Sequence, residues 1–391
     1  MNNDREYRSF TFRLFFAACG MGLLISLVAR PLHAQYVHQL SYNGSHWTDQ
    51  NLGGAAVETN GTGIAAFDTT PNDQTHVYYS SPTGYAIDDV HQLFFNGFNW
   101  ADQDLTLLTS APANFSWYSQ KSGFSVRNYQ YVYYITGGEV HQMLYDNSGW
   151  TDTNLTNLAG VTDYADDGGL LAFTTTPALH VYFVAHYGVI HQLFSPDGVT
   201  WQDVDLTYVA NTYSCACWMS GFNIGNLQYL YVLDVVGHIH QLFYNNSTWS
   251  DQDLTALTKT PPASFNSGVE AVVIPGTNKV RLYFTAVHGG HLMQLASNTS
   301  GKWSSTDLTK KSKGPIPNQS NQILAFTSNP NNEVNVYYVS GNDVNRLSQP
   351  MPTTWSNEDL TALTDGGLAT PTNGLAGFSV NNNQYVFYVA Q

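Results

Sequence analysis

The sequence has little charge and, after its first thirty residues, no helical periodicity. Only 11% of its 391 residues are Asp, Glu, Lys or Arg, whereas 25 are tyrosine. Tyr, Phe, Thr, Val, Asn and Gly are abundant, which favours β-strands joined by polar turns. We therefore expect an all-β chain.

The N-terminal segment has the features of a secretory signal. Arg5, Arg8 and Arg13 precede an apolar run over residues 14–28, and the segment ends at Ala34. The run is about five residues short of the ~20 needed to cross a bilayer, which argues against a retained anchor. The segment around Cys19 loosely resembles a lipoprotein cleavage site, but the apolar run continues past this cysteine. We predict a signal peptide over residues 1–34 and a secreted mature chain without membrane insertion.

Basic residues are scarce in the mature chain. Removing residues 1–34 takes away four arginines and two acidic residues, leaving 10 basic against 27 acidic side chains and a formal charge of −17. Such a surface repels phosphate backbones and anionic lipid, so nucleic acid is not an expected partner. The two remaining cysteines, Cys215 and Cys217, have a spacing that would strain a mutual disulfide. We expect them to pack structurally.

One motif recurs seven times along the chain. A clear copy is Val90-His91-Gln92-Leu93-Phe94-Phe95, followed after a short turn by Trp100. The tryptophans of successive copies are 53, 50, 51, 48, 54 and 52 residues apart. A period near fifty with strand-like content is typical of a β-propeller, with one small sheet per repeat. These tryptophans are Trp47, Trp100, Trp150, Trp201, Trp249, Trp303 and Trp355.

Each repeat contains four strand-like segments. The first is a strand of small residues such as 63–67, which suits the crowded position nearest the ring axis. The second is a strand such as 76–79, the third contains the His-Gln pair, and the fourth begins at the Trp. The mature chain begins on a third strand, 36–42, and ends on a second strand, 384–391. Half a repeat at each end makes one blade, which closes the ring by strand pairing.

These patterns lead to one architecture. We predict an all-β, seven-bladed β-propeller of four-stranded antiparallel blades over residues 35–391, closed by a composite blade that joins residues 374–391 to 35–53. The other blades are expected near residues 62–107, 121–157, 168–208, 219–256, 268–310 and 321–362.

The shared residues indicate a binding function. Because residues two apart in a strand share a face, Gln92 lies opposite to His91, and its amide can both donate and accept hydrogen bonds. Flat aromatic rings beside planar polar groups suit pyranose rings. The alternative is a structural or protein-interaction propeller without sugar sites, in which Trp packs between blades and the His/Gln pair satisfies backbone groups.

The repeat resembles that of the fungal-type fucose-specific lectins, which are Aleuria-lectin-like β-propellers. Residues 179–183 (Leu-His-Val-Tyr-Phe), 189–194 (Val-Ile-His-Gln-Leu-Phe) and Trp201 follow the family pattern of Arg-Val-Tyr-Tyr, Ile-His-Glu-Tyr and Trp. The resemblance implies a secreted propeller that binds fucosylated glycans at sites around its ring. The family's usual ring has six blades, whereas this chain has seven repeats.

The resemblance maps the family's site residues onto one set of positions per repeat. Its Arg falls on His76, Tyr131, His180, Tyr229, Arg281, Asn335 and Tyr385. Its Glu falls on Gln39, Gln92, Gln142, Gln192, Gln241, Gln294 and Arg346. Its aromatic residue falls on Tyr42, Phe95, Tyr145 and Tyr244, but on Ser195, Ser297 and Gln349 elsewhere. Neutral pairs thus largely replace the charged Arg/Glu clamp, and only Arg281 with Gln294 keeps half of it. Charge-assisted hydrogen bonds are about twice as strong as neutral ones.

We predict a multivalent carbohydrate-binding protein, a lectin for fucosylated or other neutral glycans. Its candidate carbohydrate-binding residues are Gln39, Tyr42, Trp47, His76, Gln92, Phe95, Trp100, Tyr131, Gln142, Tyr145, Trp150, His180, Gln192, Trp201, Tyr229, Gln241, Tyr244, Trp249, Arg281, Gln294, Trp303 and Tyr385. The repeats with Met293 and Asn345 in place of His are expected to be the poorest sites. No cofactor is expected.

Catalysis has little support in the sequence. A sialidase needs an arginine cluster, but the mature chain has only Arg127, Arg281 and Arg346, on separate repeats. A glycosidase needs two inward carboxylates, and the first strands offer only Asp68 and Glu270. We predict that the protein is not an enzyme.

A metal site also has little support. The Asp-x-Asp pattern of Asp102 and Asp104 recurs in other repeats and could ligate Ca²⁺. A simpler interpretation is that these acids discourage edge-to-edge pairing and that the second Asp caps the turn after Leu-Thr. The equivalent histidines lie on different blades, too far apart to share one ion. They are His38, His91, His141, His191 and His240.

Overall fold

The computed structural model describes residues 34–59, 63–69, 74–84, 87–113, 120–213, 215–318, 322–328, 332–350, 354–370 and 374–391. The predicted signal peptide lies outside this part of the chain except for Ala34, and so do the side chains of Cys215 and Cys217. Residues Gln35–Gln391 form one structural unit.

The described strands form seven antiparallel four-stranded sheets, or blades. The composite blade contains β1 (Tyr36–Tyr42), β2 (Trp47–Asn51), β27 (Ala376–Val380) and β28 (Asn383–Ala390). Blade I contains β3 (Ala65–Thr69), β4 (Gln74–Gly84), β5 (Ile87–Phe95) and β6 (Trp100–Asp104). Blade II contains β7 (Ser122–Val126), β8 (Tyr129–Thr136), β9 (Glu139–Tyr145) and β10 (Trp150–Asn154). Blade III contains β11 (Ala165–Thr175), β12 (Ala178–Ala185), β13 (Val189–Ser195) and β14 (Gln202–Asp205).

The remaining blades have the same order of strands. Blade IV contains β15 (Cys215–Ile224), β16 (Leu227–Asp234), β17 (Ile239–Tyr244) and β18 (Trp249–Asp253). Blade V contains β19 (Glu270–Ile274), β20 (Lys279–Thr285), β21 (Leu292–Ser297) and β22 (Trp303–Asp307). Blade VI contains β23 (Leu324–Ser328), β24 (Glu333–Ser340), β25 (Asp343–Gln349) and β26 (Ser356–Asp359).

The chain termini meet in one sheet. Strand β1 pairs antiparallel with β28, from Tyr36 opposite Ala390 to Tyr42 opposite Gln384. The first and last described segments of the chain therefore close the ring by backbone hydrogen bonds. This arrangement confirms the predicted seven-bladed propeller and its shared closing blade.

Short turns and helices connect the strands. Between β5 and β6, the Asn96 side-chain carbonyl accepts hydrogen bonds from the backbone N–H groups of Phe98 (3.0 Å) and Asn99 (2.9 Å), and Gly97 has a φ of +92°. A small amide and a glycine are what such a turn needs. This geometry fixes where the Trp strand begins.

A one-turn helix follows the outer strand of each complete blade. These helices are α1 (Leu105–Thr109), α2 (Leu155–Ala159), α3 (Leu206–Val209), α4 (Leu254–Thr258), α5 (Leu308–Ser312) and α6 (Leu360–Thr364), and a 3-10 turn covers His186–Gly188. The Asp104 carboxylate caps α1 by accepting a hydrogen bond from the Leu107 backbone N–H at 2.8 Å, as the sequence predicts. None of the helices in the described residues has the length and apolarity needed to cross a bilayer.

The first Asp of the Asp-x-Asp pattern is not the exposed edge charge that the sequence predicts. The Asp102 side chain is only 14% exposed and accepts a hydrogen bond from Nδ1 of His91 at 2.9 Å. The Tyr79 hydroxyl donates to its second oxygen at 2.6 Å. The equivalent pairs are His38–Asp49, His141–Asp152, His191–Asp203 and His240–Asp251. Asp102 therefore ties strands within a blade and does not serve as an edge charge.

The core is divided among the blade interfaces. At the junction of blades I and II, Phe67 and Tyr78 pack with Val132, Tyr134 and Met143 in one buried cluster. Each blade leaves a flat apolar face that only its neighbour can cover, as in other repeat architectures. The stability of each blade therefore depends on a closed ring.

We expect Leu40→Ala in β1 to reduce the free energy of unfolding by about 2–5 kcal/mol, the usual cost of truncating a buried leucine. Leu40 is fully buried in a cluster that includes Val386 of β28. Leu93 of blade I is equally buried and is the matched control, so Leu93→Ala should cost a similar amount. Urea denaturation measures both, and a neutral effect of Leu40→Ala alone would contradict the composite blade.

Candidate functional site

The repeated tryptophans lie between blades. The Trp150 ring of blade II meets the Tyr78 ring of blade I edge-on, with centroids 6.2 Å apart and planes at 73°. The same edge contact to the preceding blade joins Trp47 to Tyr337, Trp100 to Phe387, Trp249 to Tyr182, Trp303 to Tyr231 and Trp355 to Tyr283. Trp201 shares a buried cluster with Tyr133. Each predicted niche is thus built by two blades.

The aromatic residue at the end of the third strand decides how open the tryptophan is. Where it is present, its ring lies 5.2–5.6 Å from a half-buried tryptophan, in the pairs Tyr42–Trp47, Phe95–Trp100, Tyr145–Trp150 and Tyr244–Trp249. Where Ser195, Ser297 or Gln349 replaces it, the tryptophan is buried, with Trp201, Trp303 and Trp355 exposed by 6%, 8% and 6%. Four niches therefore retain a partly accessible indole.

The predicted glutamines are more deeply buried than these four indoles, with Gln241 as the exception. Gln92 is 2% exposed, and Gln39, Gln142, Gln192 and Gln294 are exposed by 8% or less, while Gln241 is half-buried. Gln39 stands opposite Phe387. The other amides hydrogen-bond the buried second-strand tyrosines, as Gln142 does by donating to the Tyr133 hydroxyl at 3.2 Å. Gln294 likewise donates to the Tyr283 hydroxyl at 3.1 Å, whereas Gln241 accepts from the Tyr231 hydroxyl at 3.2 Å. These amides are largely occupied by the fold.

Blades I and III extend this contact into a network across the interface. The Gln92 amide nitrogen lies 2.6 Å from Nδ1 of His76, 3.0 Å from the Tyr78 hydroxyl and 2.8 Å from the side-chain carbonyl of Gln130 in blade II. His180, Gln192, Tyr182 and Gln228 repeat this network between blades III and IV. Burial lowers the pKa of His76 to about 4, so the network is neutral at physiological pH.

The other residues at the family's Arg position also have partners. The half-buried tyrosines Tyr131, Tyr229 and Tyr385 lie against Phe124, Phe222 and Phe378, with centroids 5.2–5.4 Å apart. Arg281 donates from Nη1 to the Ser297 carbonyl at 3.1 Å. These residues border the interfaces and do not form a charged clamp.

Arg346 makes the interface between blade VI and the composite blade unlike the others. Its guanidinium lies 5.6 Å from the centre of the Trp47 ring and 2.7 Å from a carboxylate oxygen of Glu358. A second carboxylate, Glu333, is 3.1 Å away. Cation–π contact and ion pairing hold the guanidinium over the indole. Trp47 is therefore partly covered by the protein itself.

A surface groove lies at Trp100. It has a volume of about 250 Å³ and is lined by Phe95, Phe98 and Trp100 of blade I together with Gln50, Asn51 and other residues of the composite blade. Phe98 is 88% exposed, and Asn99 adds another amide to the lining. An indole, two phenyl rings and three amides thus surround one opening.

Sequence reasoning found Phe95 and Trp100 but missed the rest of this groove. Phe98 and Asn99 occupy the turn before the Trp strand. Because side chains alternate between two faces only within a strand, the sequence does not predict where these two side chains point. Gln50 and Asn51 belong to the preceding blade, about one repeat away in the sequence. The Asn-Gly turn was the one local signal that pointed to Phe98.

The end of the first strands opens into an axial cavity of about 210 Å³. Among the described residues that line it, Glu270 is the sole carboxylate, and Lys121 is the sole cation. Burial raises the pKa of Glu270 to about 8 and lowers that of Lys121 to about 8. A glycosidase needs a pair of carboxyl groups, which this lining does not supply.

We expect Glu270→Gln to stabilise the protein at pH 8 by roughly 1–3 kcal/mol. The folded carboxyl retains its proton up to about pH 8, whereas the unfolded one loses it near its ordinary value of 4.5. Wild-type stability therefore falls as pH rises between these values, and the variant lacks this loss. Chemical denaturation at pH 4.5 and 8 measures the difference. Glu58→Gln, at an exposed carboxyl, is the control, and an equal effect of both variants at pH 8 would contradict the raised pKa of Glu270.

Comparison with known proteins agrees with the repeat analysis. Residues 27–204 match the family model of the fungal fucose-specific lectins. No curated protein sequence matches the chain.

Several solved lectin structures share the fold. A lectin from Burkholderia pseudomallei is 13% identical, with a TM-score of 0.64 over 82% of this chain and 89% of that one. AofleA from Arthrobotrys oligospora is 12% identical, with a TM-score of 0.53 over 90% and 92%. The Aleuria aurantia lectin, described as a six-bladed propeller with a novel mode of fucose recognition, is 18% identical, with a TM-score of 0.51 over 76% and 94%. At these identities the likeness shows the propeller fold.

The family match covers the N-terminal part of the propeller. The family match covers the composite-blade start and blades I and II, and it continues to the end of β14 in blade III. It indicates a carbohydrate-binding lectin and not an enzyme. Over residues 27–204, the chain therefore has the predicted resemblance to the fungal fucose-specific lectins.

Proposed function

We propose that the protein is a secreted, multivalent lectin that binds neutral glycans, fucosylated or otherwise, in the niches beside its half-buried tryptophans. The observation that carries this proposal is the groove at Trp100, where aromatic rings and amides meet at the surface. Its volume of about 250 Å³ has room for one sugar ring. The glycan class and the secretion are parts of the proposal.

The groove has the chemistry that a pyranose needs. An aromatic face is apolar and accepts contact from the C–H groups on one side of a sugar ring, while its burial releases ordered water. Side-chain amides donate and accept, so they match hydroxyl groups, which do the same. The exposed amides of Gln50 and Asn99 at the rim are available for this role. Asn51 offers its amide nitrogen, because its Oδ1 accepts a hydrogen bond from the Gly53 backbone N–H at 2.7 Å. The buried Gln92 amide is not needed for it.

Charge favours neutral sugars over acidic ones. The mature chain has a formal charge of −17 if residues 1–34 are removed, and such a field repels anionic ligands. The groove-lining residues at Trp100 carry no ionisable side chain. Affinity for one sugar in this neutral groove is therefore expected to be weak.

Several weak sites can still give firm attachment to a glycan surface. Trp100, Trp150 and Trp249 are half-buried beside an aromatic partner and lie on three different blades of one ring. Linked sites can gain about 10²–10⁴-fold in avidity when they engage together. The tryptophans at Trp201, Trp303 and Trp355 are buried, so we assign no sites to them.

We expect Phe98→Ser to weaken glycan binding at the Trp100 groove by about 2–13-fold, the value of one aromatic contact of ~0.5–1.5 kcal/mol. Because Phe98 is 88% exposed, the melting temperature should stay unchanged. Tyr208→Ser on α3 removes a similarly exposed ring (83%) outside this groove and is the matched control. Titration with methyl fucoside and with the neutral sugars found on a glycan array measures the affinity.

The same experiment separates the lectin from a structural or protein-interaction propeller. If no neutral sugar binds on a dense array, or if Phe98→Ser and Tyr208→Ser bind equally well, the groove is not a glycan site. A loss of binding in a variant with wild-type melting behaviour supports it.

A further inference from the structure

A group of potential metal ligands lies on blade I, away from the sugar-site proposal. Asp89 and His91 belong to β5, and Asp104 ends β6. One side-chain ligand atom from each of them lies within 4.8 Å of the other two. Strand pairing explains the grouping, because His91 stands directly opposite Asp104 and Asp89 is on the same face as His91.

The hydrogen bonds of His91 and Asp104 leave one atom of each directed at the group. Nδ1 of His91 is engaged by Asp102 at 2.9 Å, and Oδ1 of Asp104 accepts from the Leu107 backbone N–H at 2.8 Å. Nε2 of His91 and Oδ2 of Asp104 then face each other at 4.0 Å, beyond hydrogen-bond distance. A histidine held by a carboxylate through one nitrogen is the usual support for a metal bound at the other.

Burial makes this arrangement costly without a cation. His91 is 7% exposed, and the Asp104 side chain is 27% exposed. Two carboxylates and an imidazole lone pair are all electron-pair donors, so each repels the others until a proton or a metal ion lies between them.

The other repeats provide an internal comparison. At the position of Asp89, blades IV and V have His238 and His291, which bond the cap residues Asp253 and Asp307 at 2.8 and 2.7 Å. In those blades a histidine Nδ1 therefore hydrogen-bonds the carboxylate that caps the helix. An acid stands there in blade I, as it does in blade II (Glu139) and blade VI (Asp343), but blade II has Asn154 as its cap and blade VI has Asn345 in place of the histidine. Among the described blades, blade I therefore combines this acid with both a histidine and an Asp cap.

We propose that Asp89, His91 and Asp104 bind one divalent transition-metal ion, with Asp102 orienting His91. One imidazole and two carboxylates are a ligand set that Zn²⁺ accepts, with the fourth position open to water. Tetrahedral ligands on Zn²⁺ lie about 3.5 Å apart, so the site closes by about 1 Å through rotation of the half-buried Asp89 and Asp104 side chains. The ion links the start of β5 to the end of β6.

The test is calorimetric titration of the purified full-length chain with ZnCl₂, with CoCl₂ as a second probe whose absorption reports imidazole coordination. Asp89→Asn should weaken Zn²⁺ binding at this site at least 10-fold, since it removes a charged ligand. Asp104→Asn should do the same while preserving the helix, because Asn caps as well as Asp. Both variants without metal should melt within a few degrees of wild type.

The matched control is Asp343→Asn in blade VI. Asp343 is the counterpart of Asp89, but Asn345 stands in place of the histidine, so this variant should bind Zn²⁺ like wild type. Binding that is equally strong in Asp89→Asn comes from surface histidines and overturns the proposal. Absence of binding at about 1 mM metal, the weak limit of a specific site, overturns it as well.

Discussion

The structure depends on the edge-on contact of a tryptophan with the second-strand aromatic ring of the preceding blade. Trp150 on Tyr78 is one example, with ring centroids 6.2 Å apart. A four-stranded sheet cannot bury its own faces, so each blade is stable only beside its neighbours. The contact places the indole at the blade interface, where one edge enters the core and the remainder reaches the rim. Packing and the proposed binding thus use the same side chain.

Three kinds of interface arise from this one contact. An aromatic residue such as Phe95 beside Trp100 leaves the indole half-open. Where Ser195 stands at that position, Trp201 is buried. Arg346 adds a charged cover over Trp47. Repeats of similar sequence therefore have sites of unequal access, and the access varies with the residue at the end of the third strand and, at Trp47, with Arg346 of the preceding blade.

The fold was largely predictable from the sequence, and the site only in part. The fifty-residue period and the half-repeats at the two ends predict seven blades and the pairing of β1 with β28, because both depend on spacing alone. Strand alternation separates Gln92 from His91 but does not tell which face meets the next blade. The burial of Gln92 under its contacts with His76 and Gln130 depends on that tertiary choice. The position of the Phe98 ring and the pairing of His91 with Asp102 were not predicted either, because both also depend on the tertiary structure.

A crystal structure of the protein soaked with a neutral monosaccharide such as methyl fucoside tests the central claim most directly. The account predicts sugar density stacked beside the half-buried indoles, first of all at Trp100 with Phe95 and Phe98, and none at Trp201, Trp303 or Trp355. Sugar bound at the buried tryptophans, or an empty Trp100 groove beside sugar bound elsewhere on the ring, would contradict it.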